Sequence, residues 1–402
     1  IYGALPALHL PAEPRSGTAR LIDGRLELWI ATQAPAAARG AAARALGIGA
    51  AQVVLHPMLA GGSFGRNLDP EAVAELALLA QAAAATRGGR AVQLIAMRQD
   101  DIAASPPRPP VRARLSATLD AAGRMTRLAA HIAAPPATRA MMRQLVAGDD
   151  RRVARAAVAG QSDPLAVEGA LPPYAIPRVE IVHHPVTLPL AAGLLRGEMD
   201  GVNAFFVESF IDEVARAAGM EPLAWRMGML SGRPRLARVL QRAAELGAWD
   251  GGVTTSGQRG SGKGIAAHAM RDAFIAVVAE AQTDERGIRV RRLSAAVDCG
   301  RIVHPDIARQ QIEGGLVFGL AHAVGAATGY DRGYPLVKRL ADAGLPLLAD
   351  VPEVSIEFLP SSEPPGGYEE IGMAAVAPAI ANALATLTGA RLRQLPLLSE
   401  GL

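Results

Sequence analysis

The segment Pro365-Gly366-Gly367-Tyr368-Glu369-Glu370-Ile371-Gly372 runs straight into an alanine-rich apolar stretch over 373–388. A chain with this ending must deliver a carboxylate, on a glycine-flanked loop, to the mouth of an apolar helix. Such a position suits a catalytic base. It also suits simple capping, because acidic side chains are favoured at helix N-termini by the backbone dipoles alone. Glu370 by itself decides nothing, so the remaining motifs have to.

At 402 residues the chain exceeds one ordinary core, and an apolar content of 50% is enough to bury two. Five prolines lie between 172 and 189, and we place a boundary just after them, giving units 1–190 and 191–402. In the first unit the pattern predicts a hairpin of strands over 18–22 and 26–31, with Asp23-Gly24 as its turn. A helix over 35–46, a strand over 52–56, a glycine loop and a helix over 70–86 follow, the last stopped by Gly88-Gly89. Strands are predicted over 91–97, 111–119, 125–131 and 178–183. The stretch 134–173, with its basic alanine-rich part 151–159, reads as loops with a short helix. In the second unit we predict an amphipathic helix over 203–218, with Phe206, Phe210 and Val214 on one stripe, and a helix over 234–246. A meander over 263–268, 274–283 and 288–298 follows, with Glu285-Arg286-Gly287 as one turn. A helix over 305–323, a strand over 354–359 and the terminal helix complete a mixed α+β layering.

Charge and cysteine content narrow the partners. The net charge is +3, only Lys263 and Lys338 are lysines, and the arginines are scattered, so no basic stripe for nucleic acid exists. Cys299 is the single cysteine, which rules out an internal disulfide and a four-thiolate iron–sulfur cluster within these residues. Any such cluster belongs to a partner. No apolar run reaches the roughly 20 residues that span a bilayer. His268 and the pair His183-His184 lack carboxylates or further histidines at ligand spacing, so no metal is assigned to protein side chains. Cys299, in the turn Asp298-Cys299-Gly300, reads as a small buried residue.

Four motifs carry chemistry ahead of Glu370. The loop Gly61-Gly62-Ser63-Phe64-Gly65-Arg66 lets backbone approach a ligand and turns its N–H groups outwards, although it also serves as a tight strand-to-helix turn. It has neither the dinucleotide glycine spacing nor the lysine of a P-loop. Gln33, just past the second strand, offers a neutral amide that both donates and accepts. Arg196, in Leu195-Arg196-Gly197, is either an anion contact or a surface guanidinium. In Gln311-Ile312-Glu313-Gly314-Gly315 the paired glycines cost a helix about 1 kcal/mol each, which points to close packing or a ligand on that face.

Taken in this order with Glu370, and with stretches 203–218, 296–315 and 376–388, these motifs resemble the molybdenum-binding large subunit of the xanthine dehydrogenase and aldehyde oxidase family. The likeness covers nearly the whole chain and is strongest to the isoquinoline 1-oxidoreductase beta-subunit branch. It implies two elongated mixed α/β domains around a molybdenum–pterin cofactor, with a cytosine dinucleotide among its forms. The metal is then held by the pterin sulfurs. The resemblance implies that Glu370 is the base that activates the attacking hydroxyl, that Gln33 bonds an oxygen ligand of the metal and that Arg196 faces the substrate. It places Gly61, Gly62, Ser63, Phe64, Gly65, Arg66, Gln311, Gly314 and Gly315 around the cofactor. The implied activity is oxidation of an N-heteroaromatic ring or an aldehyde with water as oxygen source, electrons passing to a small iron–sulfur subunit.

The resemblance also carries departures. The branch has a Gly-Gln-Gly loop ahead of this region, so a second polypeptide or a missing N-terminal segment is expected to supply it; the chain begins at Ile1. Relatives in the branch are periplasmic or associated with the inner membrane. Ser63 stands where the family has a third glycine, and Glu369 where it has a glycine before the base. Ile371 and Met373-Ala374-Ala375 replace a proline-rich start of the last helix. After Arg196 the chain reads Gly197-Glu198-Met199-Asp200-Gly201 rather than RGFGG, which implies a different substrate choice. Glu369 is expected to point outwards while Glu370 points inwards, because successive side chains diverge in extended backbone. The alternative reading is a scaffold that keeps the fold without turnover.

Overall fold

The computed structural model of the chain describes residues 1–145, 162–252, 260–285 and 287–397; stretch 151–159 and Arg286 of the expected turn lie outside them. The first layer is a four-stranded sheet built on the expected hairpin. Strands Ser16–Ile22 and Arg25–Ile30 pair antiparallel, Val53–Pro57 adds in parallel and Val92–Ile95 closes the other edge. Asp23 and Gly24 have φ of 49° and 72°, the left-handed pair that a two-residue primed turn demands. Leu26 and Leu28 point down into a core completed by Ala38 and Ala42 of helix Pro35–Leu46 and by Leu76 and Ala80 of helix Glu71–Arg87. Alanine on both helices lets them lie close to the sheet.

A five-stranded sheet joins the ends of the chain. Its order is Gln394–Leu395, Tyr2–Ala4, Val111–Leu119, Met125–Ala134 and Arg178–Pro185. The third sheet is the expected meander Gly262–Met270, Ala273–Asp284 and Gly287–Asp298, extended by Glu353–Phe358 in parallel. Its strands are apolar on both faces for a physical reason. Ile275 and Val277 face helix Val376–Thr388, whereas Ala276 and Val278 face helix Pro234–Leu246, so each alternate set has its own cover.

Helix Glu198–Ala217 starts earlier than predicted and is not amphipathic over its first turns. It runs between two cores: Phe205 and Phe206 belong to one, Val207 and Ile211 to the other. Two of its buried polar residues have partners. Asn203 Nδ2 donates to the Glu168 carbonyl at 2.8 Å, and the buried Arg226 reaches Glu208 at 3.1 Å. Two short helices were not predicted. Arg98–Ala103 ends the strand expected over 91–97 at Ile95, and Pro222–Gly228 is capped by Glu221, whose carboxylate accepts from the N–H groups of Leu223 and Ala224.

The apolar run Ile371–Thr388 is long and apolar enough by composition to cross a membrane, contrary to the sequence reading, yet 78% of it is buried inside the protein. It is a core helix. Strand Gly262–Met270 lies directly against it: a Cβ at Gly264 would overlap the Ala379 carbonyl oxygen and the Ala383 nitrogen. Overpacking of this kind costs about 1–3 kcal/mol. Gly264→Ala is therefore expected to lower the thermal unfolding midpoint of the native protein, measured against Gly228→Ala, whose Cβ meets nothing within 4 Å.

Candidate active site

Helix Pro305–Val324 carries two adjacent stripes of different use. On one, Gly315 and Gly319 admit the terminal loop: a Cβ on Gly315 would stand 2.9 Å from Gly372 Cα, and one on Gly372 would stand 2.7 Å from the Ile312 carbonyl oxygen. This is backbone packed on backbone, and it fixes the loop that bears Glu370. On the other stripe Gly314, Phe318 and His322 follow at intervals of four and face an open groove of about 640 Å³. Leu8, Leu10, Phe64 and Arg196 line the same groove. Gly314 leaves the side of the groove open, since its Cβ would meet only Arg196 Nη1, at 3.7 Å.

Arg196 ties three elements together. Its N–H donates to the Phe64 carbonyl at 2.9 Å, and its Nη2 donates to the carbonyls of Gln311 and Glu369, each at 3.0 Å. The guanidinium also lies 5.8 Å from the centre of the Phe318 ring. Gln311 thus acts on the site by holding Arg196.

The glycine loop bends sharply. Gly62, Phe64 and Gly65 all have positive φ, at 62°, 54° and 108°. At Gly65 a Cβ would overlap the Leu194 carbonyl, so the loop presses on the segment that leads to Arg196. Phe64 leans against Phe318 with ring centres 4.7 Å apart. Gly61 faces open space, with nothing within 4 Å of a Cβ position. Ser63 donates its hydroxyl to Gln33 Oε1 at 3.1 Å, and the Gln33 side chain is exposed. The serine that replaces the third glycine therefore steadies the glutamine. Arg66 lies beneath the loop, paired with Asp69 at 2.7 Å and Asp101 at 3.3 Å, while its Nε and Nη2 lack a hydrogen-bond partner.

Glu370 sits at the turn that precedes helix Val376–Thr388, and the Gly197 N–H at the start of helix Glu198–Ala217 is near enough to favour its charged form. Burial raises its pKa above the ordinary carboxylate range, and repulsion by Glu369 and Asp200 adds to the rise. Arg271, 3.3 Å from Glu370 Oε2, opposes it. The neighbouring Glu168 is raised as well, by burial first and by Asp200 second. Glu369 is more exposed than Glu370, at 44% against 20%, but does not simply point away: both reach Arg271. Among the sequence-predicted residues, Phe64, Arg196 and Gly314 share the groove. Glu370 and Gln33 are not on its lining: Arg196 bonds the carbonyl of Glu369, next to Glu370, while Ser63 and Gly61 lie on a separate cleft, and Gly315 lies under the loop.

Other polar groups are held internally. His183 Nδ1 accepts from the Asp163 N–H at 2.9 Å and its Nε2 donates to the Ala134 carbonyl at 3.0 Å; His268 pairs with Asp200 at 2.9 Å. Burial pushes the Cys299 thiol up to about 12, where it is inert near neutral pH. Among the described residues no group of three His, Cys, Asp or Glu side chains is arranged to hold a metal ion.

The arrangement fits a pterin-borne metal. The groove is of ligand size with largely apolar walls, and open glycine backbone at Gly314 leaves room for a planar group. Comparison with known proteins agrees. Molybdopterin cofactor-binding domain families match residues 6–146 and 212–352. The chain belongs to the molybdopterin cofactor-binding family. As such it is 29% identical over 96% of its length to isoquinoline 1-oxidoreductase subunit beta of Brevundimonas diminuta, covering 48% of that protein. It is 30% identical over 98% of its length to the membrane-bound aldehyde dehydrogenase [pyrroloquinoline-quinone] of Gluconacetobacter polyoxogenes, covering 52%. It thus spans about half the length of these relatives. The crystal structure of quinoline 2-oxidoreductase from Pseudomonas putida 86 superposes with a TM-score of 0.74 at 16% identity, over 98% of this chain and 74% of that one. The molybdopterin-binding fold expected from the motifs is therefore the fold observed.

Two contributors escaped the sequence. Arg271 lies in an Arg271-Asp272 turn that carries none of the Asn-Gly or Asp-Gly chemistry by which such hairpins are read. Phe318 was legible in principle, since it follows Gly314 by one helical repeat.

Gly315→Ala should raise helix propensity by about 1 kcal/mol while pushing the loop off the helix, and a displacement of about 1 Å at a catalytic group costs on the order of 100-fold in rate. The expected result is unchanged circular dichroism with kcat reduced at least tenfold. His9 gives a second test. It is buried below the glycine loop, its Nδ1 3.0 Å from Ser105 Oγ and its Nε2 2.5 Å from the Leu194 carbonyl, and burial lowers its pKa from 6.5 to about 4. The unfolded state then binds the extra proton between those values, so stability present above about 6.5 is lost as pH falls towards 4. Thermal unfolding followed against pH should show that loss, and His9→Gln should flatten it.

Proposed function

We propose that this chain is the cofactor-holding and catalytic portion of a molybdenum hydroxylase, divided near residue 190, with Glu370 as its general base. The substrate is an N-heteroaromatic ring or an aldehyde, each offering an electron-poor carbon, and water supplies the oxygen. When bound, the molybdenum–pterin group supplies the two-electron acceptor. The names of the relatives, an isoquinoline oxidoreductase and an aldehyde dehydrogenase, support this choice of substrates. The observation that carries the reading is Glu370 itself: a largely buried carboxylate with a raised pKa, fixed by backbone contacts beside an arginine-lined groove.

Each residue then has a task that its geometry allows. Glu370 takes the proton from the attacking oxygen, and its raised pKa brings it nearer the working pH of a base. Arg271, 3.3 Å from its Oε2, helps to hold it. Gln33, steadied by Ser63, presents an uncharged N–H donor. Arg196 turns its remaining donors towards the groove, where negative charge building on the substrate is stabilised. Phe64 and Phe318 form an apolar wall against which a flat ring packs. Gly61, Gly62, Gly65, Gly314 and Gly315 keep backbone accessible to the cofactor or hold the site together, and Arg66 locks the glycine loop from below. Electrons leave through an iron–sulfur cluster held outside these residues, on the small partner subunit in this reading, because four thiolates are needed and these residues hold one cysteine.

Glu370→Gln is isosteric and cannot act as a base. In the intact complex it is expected to reduce kcat by about 100-fold or more while molybdenum content stays at the wild-type level. A wild-type complex that is fully loaded with metal but inactive would instead favour the scaffold reading.

A further inference from the structure

The least ordinary charge arrangement in the chain lies where two consecutive carboxylates meet one guanidinium. Arg271 Nη1 stands 3.1 Å from Glu369 Oε1, and Nη2 stands 3.3 Å from Glu370 Oε2. Arg271 comes from elsewhere in the fold, the two-residue turn between strands Gly262–Met270 and Ala273–Asp284. Arg271 and Asp272 have φ of 47° and 63°, the backbone of a primed hairpin turn. That turn is wedged against the base loop. A Cβ on Gly366 would stand 2.6 Å from the Arg271 carbonyl oxygen, and one on Gly367 would stand 2.7 Å from that of Met270. The guanidinium and the two carboxylates are thus carried by backbones locked to each other.

We propose that Arg271 is the positioning residue of the base, clamping Glu369 and Glu370 into one ion cluster that holds Glu370 ionised and aimed at the mouth of helix Glu198–Ala217. The proposal rests on the reading of Glu370 as the base. The groups around Glu370 come from every packed element: Glu369 on its own loop, Asp200 on the helix, Glu168 following the turn Pro164–Val167, and Arg196 and Arg271 from two further loops. His268 touches this set through Asp200. Negative charge crowds Glu370 from three sides, and Arg196 already gives its Nη2 to two carbonyls. Arg271 is the cation that makes the adjacent pair Glu369-Glu370 tolerable, and it gives Glu369 a role: a second anchor for the clamp.

The consequence has a sign. Removing the guanidinium leaves like charges around Glu370 and disfavours its ionised form, whereas removing the Glu369 charge favours it. A merely structural role for Arg271 predicts neither opposite shift. The test is the pH profile of kcat/KM in the intact complex for wild type, R271K, R271Q and E369Q, alongside infrared titration of the carboxyl band that disappears in E370Q. The acid limb is expected to move up by about one pH unit or more in R271Q, stay near wild type in R271K and move down in E369Q, with the infrared band following. An R271Q protein whose limb and band do not move overturns the proposal, even where E370Q is inactive. Turnover that survives in E370Q overturns the underlying reading of the base instead.

Discussion

The contact on which the site depends is between two backbones that have no side chains between them. Gly315 in the middle of a long helix meets Gly372 in the terminal loop, and neither position has room for a Cβ. Glycine inside a helix is unfavourable by about 1 kcal/mol against alanine, so the fold gives up local stability to bring that loop in. What it gains is a short, rigid path from the groove helix to Glu370. Gly319 against Val376 and Gly366 against the Arg271 turn extend the same device along both ends of the loop. The Glu370 carboxylate is held by shape before any charge acts on it.

Charge then refines what shape sets. Arg196 bonds three carbonyl-bearing segments, from the glycine loop, the groove helix and the Glu370 loop, each more than a hundred residues from it in sequence, and so makes them one unit. A charged donor to carbonyls in a half-buried place is stronger than a neutral one, which suits a junction that must not loosen during turnover. Gln33 is steadied in a gentler way, through the Ser63 hydroxyl, and its side chain stays exposed. The combination is a site with a rigidly held carboxylate on one side and an exposed amide on the other.

Much of this was legible in the sequence, for stated reasons. The hairpin at Asp23-Gly24, helix Pro35–Leu46 with its N-terminal proline, and the meander from Gly262 onward all follow local turn and periodicity rules. The paired glycines of Gln311 to Gly315 announced close packing, and Gly315 supplies it. Two things were hidden because they depend on neighbours. Helix Glu198–Ala217 lies between two cores, so burial on both sides overrides the single stripe its pattern offered. Arg271 reaches Glu370 across 99 positions from a turn with no turn signature, and only the folded chain brings the two together. The extra carboxylate Glu369, a puzzle in one dimension, finds its partner there.

The central claim is that a pterin-held metal sits where the Glu370 loop, the glycine loop and the Arg196 segment converge. The most direct measurement is a crystal structure of the natively purified complex with diffraction recorded on both sides of the molybdenum absorption edge. The account predicts an anomalous peak beside the Glu370 carboxylate, on the side facing Gln33 and Phe64. A fully occupied peak remote from Glu370, or a metal ligated by side chains of this chain, would contradict it.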